Sequence, residues 1–430
     1  LSENPRDPFV AYNVACAQAM TGEHAAAAET LIDAVAFGFS DLFHMANDPH
    51  LDPIREEPSY AALIRGWRRV LDARGEADLK GARESLGPTY AYESDGALRL
   101  NFASAMTPES FAAARREISR TSIWASTALG LVGATDEARP DPWVLVILPT
   151  PKDFAKMIGS EGIGGYYDKD RKRLVSQDIG PTLRHEFFHV LHWRHMDRLG
   201  QRHPYWIMEG LAALLEDVEA DGEGYRLAPS WRTNIVKRLG RSGRLTKWKD
   251  LFTMDREAFM GPRARANYAQ ARAVLMFLHE RGRLARWYRA YVEGFNQDST
   301  GAAAIEAAMD QPLTATEREF KTWLDGIPFA GEQNRPGAAG LGVALGPGSG
   351  DGPVVSGIVA ASRAIGLGDE RLRMRDVITA VNGRATRSLD EFHRILAEFE
   401  VGDEVRLEVR RGSRTLVVTM RLVPITAPEP

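Results

Sequence analysis

The 430-residue chain has one cysteine and lacks a long apolar run. Cys16 therefore cannot form a disulfide within the chain, and we expect it to be a buried structural thiol in an alanine-rich helix. The longest apolar run, near residues 143–148, is far shorter than the roughly 20 residues that a transmembrane helix needs. We predict a packed chain without a membrane span, since 44% of its residues are hydrophobic and 26% are charged.

Neither sign of charge is in large excess. The 54 Lys and Arg residues nearly balance the 58 Asp and Glu residues, which gives a formal net charge of -4. This charge provides no general attraction to polyanions, so we predict no nucleic-acid partner. The chain begins at Leu1 rather than at methionine. We expect a leader to have been removed, and favour a bacterial periplasmic or secreted location over a cytoplasmic one.

The length predicts more than one domain, at roughly 100–200 residues each. Changes in residue pattern predict a multidomain α+β protein with an N-terminal α-helical unit at 1–75 and a second, α+β unit at 89–325. A Gly/Pro-rich stretch at 326–340 is predicted to be a linker. Short strands and one helix predict a β-rich domain at 341–425.

Within the second unit, strand-like runs at 97–102 and 143–148 flank a strong helix pattern at 108–129, for which Thr107 is a plausible N-cap. A hairpin is predicted at 164–176. We expect residues 173–177 to form a short edge strand, with which an extended peptide could pair.

A helix is predicted to begin at Pro181 and to end before Gly200. His185 and His189 are four residues apart on this helix, so both imidazoles lie on one face and can hold one metal ion. Glu186 follows the first histidine, where a carboxylate can accept a proton from water. This H-E-x-x-H spacing predicts a catalytic metal site.

Two residues compete to be the third ligand. His195 has the spacing of the metzincin pattern, but His192 replaces the glycine that would break the helix, and helix rise places His195 about 15 Å from His185. Glu209 lies on the next predicted helix, followed by small residues that permit close packing. We prefer Glu209.

The H-E-F-F-H run at 185–189 and the W-x-x-E-G-x-A run at 206–212 resemble the gluzincin metallopeptidases, the thermolysin and aminopeptidase N group. The resemblance covers residues 89–325. It implies a Zn²⁺ peptidase with His185, His189 and Glu209 as metal ligands and Glu186 as general base. It also implies that Tyr268 donates a hydrogen bond to the oxyanion of the transition state. Packing of Tyr268 on a helix face is the alternative.

Other polar residues receive more ordinary interpretations. His192 is expected to pack or to support a ligand rather than to bind metal. Glu216, seven residues after Glu209, either orients a ligand or is structural. The basic clusters at 263–265 and 281–289 are expected to be solvated helix faces.

The N-terminal helices resemble a tetratricopeptide unit, because small residues occupy the positions where its two helices approach closely. These residues are Ala15, Gly22, Ala27 and Ala34. The resemblance covers about 34 residues and implies packing or docking rather than catalysis.

The C-terminal segment resembles a PDZ domain. The matching runs are Gly340-Leu341-Gly342-Val343, Asp376-Val377-Ile378, Val381-Asn382-Gly383 and Gly402-Asp403-Glu404-Val405. The resemblance implies that the loop Gly340, Leu341, Gly342 and Val343 binds the C-terminal carboxylate of a peptide. A β-rich module without a ligand is the alternative.

These features together predict a zinc peptidase that acts on polypeptides recruited by its terminal modules, with an endopeptidase favoured over an aminopeptidase. The alternative is an inactive peptidase-fold scaffold that binds polypeptides through its PDZ and tetratricopeptide-like modules. The presence of His185, Glu186, His189 and Glu209 favours the enzyme.

Overall fold

The structure is a computed structural model that describes residues 6–131, 139–158, 164–332, 335–348, 350–358 and 371–425. Its contacts divide the chain into two compact units. Unit 1 comprises Leu1–Leu227 and Arg281–Ala308, and unit 2 comprises Ala228–Glu280 and Met309–Pro430. The domain bounds expected from the sequence stay a prediction. None of the described helices is long and apolar enough to cross a membrane.

Unit 1 begins with helices, as predicted. They are α1 (Pro8–Met20), α2 (His24–Phe37), α3 (Leu42–Asn47), a 3-10 helix (Pro49–Ile54), α4 (Pro58–Arg65) and α5 (Trp67–Leu86). Ala15, Ala27 and Ala34 are fully buried, consistent with close packing of α1 and α2. Cys16 is only partly buried, and burial raises its pKa to about 11, which keeps the thiol protonated. The tetratricopeptide assignment stays a prediction.

A mixed sheet follows, with its helices in sequence between the strands. The elements are β1 (Ala91–Asp95), β2 (Leu100–Ser104), α6 (Pro108–Leu129), β3 (Val144–Leu148), α7 (Pro151–Ile158), β4 (Gly165–Asp168) and β5 (Arg173–Ser176). The strand order is β1-β2-β3-β5-β4, with β2, β3 and β5 parallel. The helix behind the Thr107 N-cap and the β4–β5 hairpin are confirmed.

The prediction of an edge strand at 173–177 is wrong. β5 pairs with β3 on one side and with β4 on the other, so its backbone groups are already used within the sheet. The edge strands of this sheet are β1 and β4. A peptide therefore cannot extend this sheet at β5.

The next elements carry the candidate site. They are α8 (Pro181–Leu199), α9 (Tyr205–Leu214), β6 (Val218–Asp221) and β7 (Gly224–Leu227). The bounds predicted for α8 are confirmed. The Asp178 carboxylate accepts hydrogen bonds from the backbone N–H groups of Gly180 and Thr182, at 2.7 and 3.2 Å. At the other end, Gly200 has a φ of 65°, a left-handed conformation that favours glycine.

Helices dominate the chain as far as residue 326. They are α10 (Trp231–Arg241), α11 (Trp248–Phe252), α12 (Arg256–Met260), α13 (Ala264–Glu280), α14 (Leu284–Glu293), α15 (Ala302–Met309) and α16 (Leu313–Gly326). Of these, α10 to α13 and α16 belong to unit 2, and α14 belongs to unit 1. The basic residues 281–289 thus begin a helix of unit 1 that buries Trp287 and Tyr288.

The C-terminal segment is β-rich, as predicted. It contains β8 (Ala339–Gly340), β9 (Val343–Gly346), β10 (Val354–Ile358), β11 (Val377–Val381), β12 (Arg384–Ala385), α17 (Leu389–Leu396), β13 (Glu404–Arg411), β14 (Arg414–Arg421) and β15 (Val423–Pro424). The main sheet has the order β14-β13-β11-β10-β9, and α17 packs its buried face, including Phe392 and Ile395, into the core.

The end of α16 and the start of the predicted linker are bound to α10. The buried Lys237 ammonium donates hydrogen bonds to the backbone carbonyls of Leu324, Asp325 and Ile327. The Asn234 side chain exchanges hydrogen bonds with the backbone of Ala330, at 2.8 and 2.9 Å. These contacts hold Ile327 and Ala330 against α10, which the Gly/Pro content of the segment alone does not predict.

Candidate metal centre

Two imidazoles meet on one face of α8. His185 and His189 are one helical turn apart, and their Nε2 atoms lie 3.1 Å from each other. Both side chains are 12% exposed. The pair is thus largely enclosed but still reachable from solvent.

Glu209 on α9 completes a cluster of three groups. Its Oε2 atom lies 3.4 Å from His185 Nε2 and 3.5 Å from His189 Nε2. The neighbouring residues Gly210 and Ala212 are buried, so the two helices can approach closely. α9 is anchored by Trp206, whose indole N–H donates a 2.9 Å hydrogen bond to the carbonyl of Thr300.

The spacing of these donor atoms fits a zinc ion. Ligands bound tetrahedrally at about 2.0–2.1 Å lie about 3.3 Å from one another. The three separations in the cluster are 3.1, 3.4 and 3.5 Å. In the described part of the chain, His185, His189 and Glu209 are the group of His, Cys, Asp and Glu residues close enough together to hold a metal ion.

The electrostatics of the cluster favour a positive charge. Burial lowers the pKa of His185, but the hydrogen bonds of Glu209 and Glu216 outweigh it and raise that pKa to about 10. Burial also raises the pKa of Glu209, but the charge of His189 and hydrogen bonds from both histidines bring it below its ordinary value. The carboxylates therefore stabilise a cation at this position, which is what a metal site requires.

Glu216 orients the first histidine. Its Oε1 atom lies 2.9 Å from His185 Nδ1, so the proton on that nitrogen points to Glu216 and Nε2 is directed to the cluster. This contact is consistent with the orienting role of Glu216, and a structural role stays the alternative.

Arg184 fixes the end of α9, a role that sequence reasoning missed. Its guanidinium donates hydrogen bonds to the carbonyls of Leu215 and Glu216, at 2.6 and 2.7 Å. A third bond, of 2.7 Å, goes to Glu117 Oε2, which also accepts from the Tyr225 hydroxyl at 3.0 Å. Glu117 and Tyr225 are 67 and 41 residues from Arg184 in the chain, and no local pattern connects them.

Glu186, the predicted base, is half-buried on α8 beside His185. Its negative charge acts on His185 and helps to raise the pKa of that imidazole. Among the described residues it has no hydrogen-bond or ion-pair partner, so its carboxylate is not engaged elsewhere.

The competing ligand His195 has other neighbours. Its ring lies 5.7 Å from that of Tyr288, and it is not part of the three-residue cluster. His192 Nε2 lies 2.8 Å from Nδ1 of His203, in a fully buried position. The packing interpretation of His192 is consistent with this contact.

Tyr268, the predicted oxyanion donor, lies on α13 in unit 2. Its ring contacts that of Phe259 at 5.1 Å, and the Arg232 guanidinium lies 5.6 Å from its centroid. Its hydroxyl lies 3.3 Å from the sulfur of Met260. The catalytic role of Tyr268 stays a prediction.

Comparison with known proteins identifies the C-terminal domain. The family model of the PDZ domain matches residues 339–422. A curated relative, the chloroplastic protease Do-like 1 of Arabidopsis thaliana, is 36% identical over 101 residues, which are 23% of this chain and 22% of that protein. This chain thus spans about a fifth of the length of that relative.

Two solved structures show only distant similarity. An HtrA-type protease with a decapeptide is 17% identical, with a TM-score of 0.19, over 28% of this chain and 37% of that one. An aminopeptidase N family protein of Idiomarina loihiensis is 11% identical, with a TM-score of 0.33, over 79% and 67%. Neither similarity is close enough to establish a shared fold. The match to the family model, by contrast, shows that residues 339–422 of this chain are a PDZ domain.

Proposed function

We propose that this protein is a zinc-dependent peptidase of the gluzincin type, in which His185, His189 and Glu209 hold Zn²⁺. The observation that carries the proposal is the convergence of the three donor atoms at separations of 3.1 to 3.5 Å. Such a set leaves one tetrahedral position open, as catalytic zinc sites require.

Each residue then has a defined task. A bound zinc ion supplies a Lewis acid that polarises a carbonyl group and acidifies a water molecule. Glu186 accepts the proton of the attacking water and returns it to the leaving amine. Glu216 holds His185 in the ligating orientation, and Tyr268 is the candidate donor to the oxyanion.

The PDZ domain is proposed to recruit the polypeptide substrate, with the loop Gly340, Leu341, Gly342 and Val343 receiving its C-terminal carboxylate. A neighbouring strand, β9, begins at Val343, and such strands can pair with an extended peptide. An endopeptidase fits a substrate recruited through its end better than an aminopeptidase does.

The test compares the full chain with its Glu186→Gln variant on a denatured protein substrate, with zinc content measured in both. Both proteins should contain about one zinc per chain, because Glu186 is not a ligand. We expect kcat/KM to fall by about 10²–10⁴-fold in the variant. Hydrolysis that survives Glu186→Gln would refute this mechanism. Zinc-loaded wild-type protein without hydrolysis would support the inactive scaffold.

A further inference from the structure

A cleft of about 460 Å³ lies within unit 2, lined by residues of α10, of the start of α13, of the linker and of the PDZ domain. Its volume is within the range of roughly 300–1,000 Å³ that is typical of ligand sites. Apolar side chains contribute much of its lining, namely Ile235, Leu239, Leu396, Phe399 and Val401. None of the residues of the predicted carboxylate loop, 340–343, lines it.

The same cleft carries an excess of positive charge. Among the described residues that line it, two carboxylates face five guanidinium groups, those of Arg238, Arg244, Arg263, Arg265 and Arg335. The nearly buried Glu332 pairs with Arg238 at 3.0 Å and also with Arg335, and Glu400 pairs with Arg244 at 3.2 Å. Within the described part of the chain, Arg263 and Arg265 are exposed and have no carboxylate partner.

The walls of the cleft are held together before any ligand binds. Three arginines at intervals of three residues on and just after α10 reach the end of α17. Arg238 donates to the carbonyl of Ala397, and Arg241 pairs with Glu398 at 2.9 Å. The third pair, between Arg244 and Glu400, closes the same face. Of the two remaining arginines, Arg263 donates a 2.8 Å hydrogen bond to the carbonyl of Arg244. Neither Arg263 nor Arg265 pairs with a carboxylate of the described residues, so both charges remain available to a ligand.

We propose that this cleft binds an acidic segment of a polypeptide. Guanidinium groups match carboxylates in geometry and charge, so Arg263 and Arg265 would pair with acidic side chains of the segment. Its apolar side chains would lie on Leu239, Phe399 and Val401. A polypeptide is favoured over a nucleic acid because the lining is rich in aliphatic side chains rather than in aromatic stacking platforms.

The test measures binding of a fluorescein-labelled peptide of alternating glutamate and leucine to the full chain by fluorescence anisotropy. The peptide is amidated at its C terminus, so that it offers no terminal carboxylate to residues 340–343. Every protein also carries Glu186→Gln, so that the peptide stays intact. The matched variants are Arg263→Gln with Arg265→Gln, and Arg414→Gln with Arg421→Gln, two exposed arginines of β14 outside the cleft.

We expect the variant at 263 and 265 to bind about tenfold or more weakly, and the variant at 414 and 421 to bind within about twofold of the parent. A peptide of alternating lysine and leucine should not bind. The proposal is overturned if both double variants weaken peptide binding equally, or if the variant at 263 and 265 binds the peptide as tightly as the parent. It is also overturned if the parent binds a single-stranded RNA more tightly than the peptide. Both pairs are exposed, and thermal unfolding of each variant verifies that it is folded. The result does not depend on zinc.

Discussion

One helix, α8, carries two pairs of histidines in opposite surroundings. His185 and His189 face the carboxylate of Glu209. His192 and His195 lie further along the helix, among other imidazoles and aromatic rings. The four side chains share a residue type and a helix, so their neighbours on other elements decide what they can do.

The difference is visible in the protonation of the imidazoles. Burial lowers the pKa of His185, but Glu209 and Glu216 raise it to about 10. Burial lowers the pKa of His195 to about 4, and the nearby Arg198 contributes in the same direction. His185 lies where a positive charge is stabilised, and His195 lies where it is opposed. A metal ion is therefore expected at one end of the helix alone.

The largest expected effect separates the two pairs directly. His189→Ala should weaken zinc binding by more than about 100-fold, beyond the 10–100-fold that supporting residues contribute. His195→Ala should change it by less than about twofold, since His195 lies outside the cluster. Competition with a chromogenic chelator measures both affinities. Comparable losses of zinc affinity in His189→Ala and His195→Ala would contradict the distinction between the two pairs of histidines.

The second prediction concerns acid stability. His195 has a folded-state pKa of about 4, against 6.5 for an ordinary imidazole. Above about pH 6.5 it is neutral in both states. Below that pH the unfolded chain binds a proton that the folded chain excludes, so stability falls as the pH approaches 4. The contribution amounts to about 3 kcal/mol at most.

Urea unfolding at pH 7 and at pH 4.5, in the presence of a chelator, measures this dependence without a contribution from zinc. His195→Gln should reduce the loss of unfolding free energy between pH 7 and pH 4.5. His24 is exposed, and His24→Gln should leave that loss unchanged. Burial makes the largest contribution to the lowered pKa of His195, Arg198 lowers it further, and Asp141 raises it. An unchanged pH dependence in His195→Gln would contradict the prediction.

Much of the site around His185 and His189 could be predicted from the sequence. The spacing of His185 and His189 needs only helical geometry, and the bounds of α8 follow from Pro181 and Gly200. Glu209 is preferred over His195 as the third ligand because His195 cannot bend back along an unbroken helix. The Glu209 carboxylate lies 3.4 and 3.5 Å from the two imidazoles. The network around Arg184 was not predicted, because its partners come from distant parts of the chain.

The third prediction tests that network. Arg184→Met removes two hydrogen bonds to the end of α9 and the 2.7 Å pair with Glu117, which retains a longer pair with Arg120 at 3.6 Å. This loss should lower the free energy of unfolding by about 1.5–3 kcal/mol. Arg115→Met is the matched control, because Arg115 lies 2.7 Å from Glu93, the same distance as in the Arg184 pair. Arg115 and Glu93 are 45% and 47% exposed, whereas Arg184 and Glu117 are 11% and 19% exposed. We therefore expect Arg115→Met to lower the free energy of unfolding by less than about 1 kcal/mol.

Urea unfolding of the metal-free proteins measures both losses. If the two substitutions lower the free energy of unfolding by the same amount, burial does not strengthen the pair of Arg184 with Glu117. The role of Arg184 in fixing the end of α9 is then not supported.

The fourth prediction concerns the orientation of His185. Glu216→Gln keeps the size of the side chain but removes its charge, which should weaken zinc binding by about 10–100-fold. Glu219→Gln on β6 is the control, since Glu219 is 58% exposed and pairs with Arg226 outside the cluster. Chelator competition measures both. An unchanged affinity in Glu216→Gln would leave Glu216 with a structural role.

The basic cleft shows what sequence patterns leave out. Arg263 and Arg265 are exposed, as predicted, but their spacing contains no information about the segments near residues 335 and 396. Similarly, the strand at 173–176 resembled an edge until its pairing with β3 was known. Local patterns predict elements, whereas clefts and strand neighbours depend on contacts between distant segments.

The most direct test of the metal centre is the zinc X-ray absorption spectrum of the 430-residue chain after dialysis. The proposed site predicts a shell of nitrogen and oxygen ligands at about 2.0–2.2 Å with the signature of two imidazoles, and no sulfur. Glu209→Ala should alter that shell or release the metal. A spectrum with a sulfur ligand near 2.3 Å, with fewer than two imidazoles, or with no retained zinc would contradict the proposed centre.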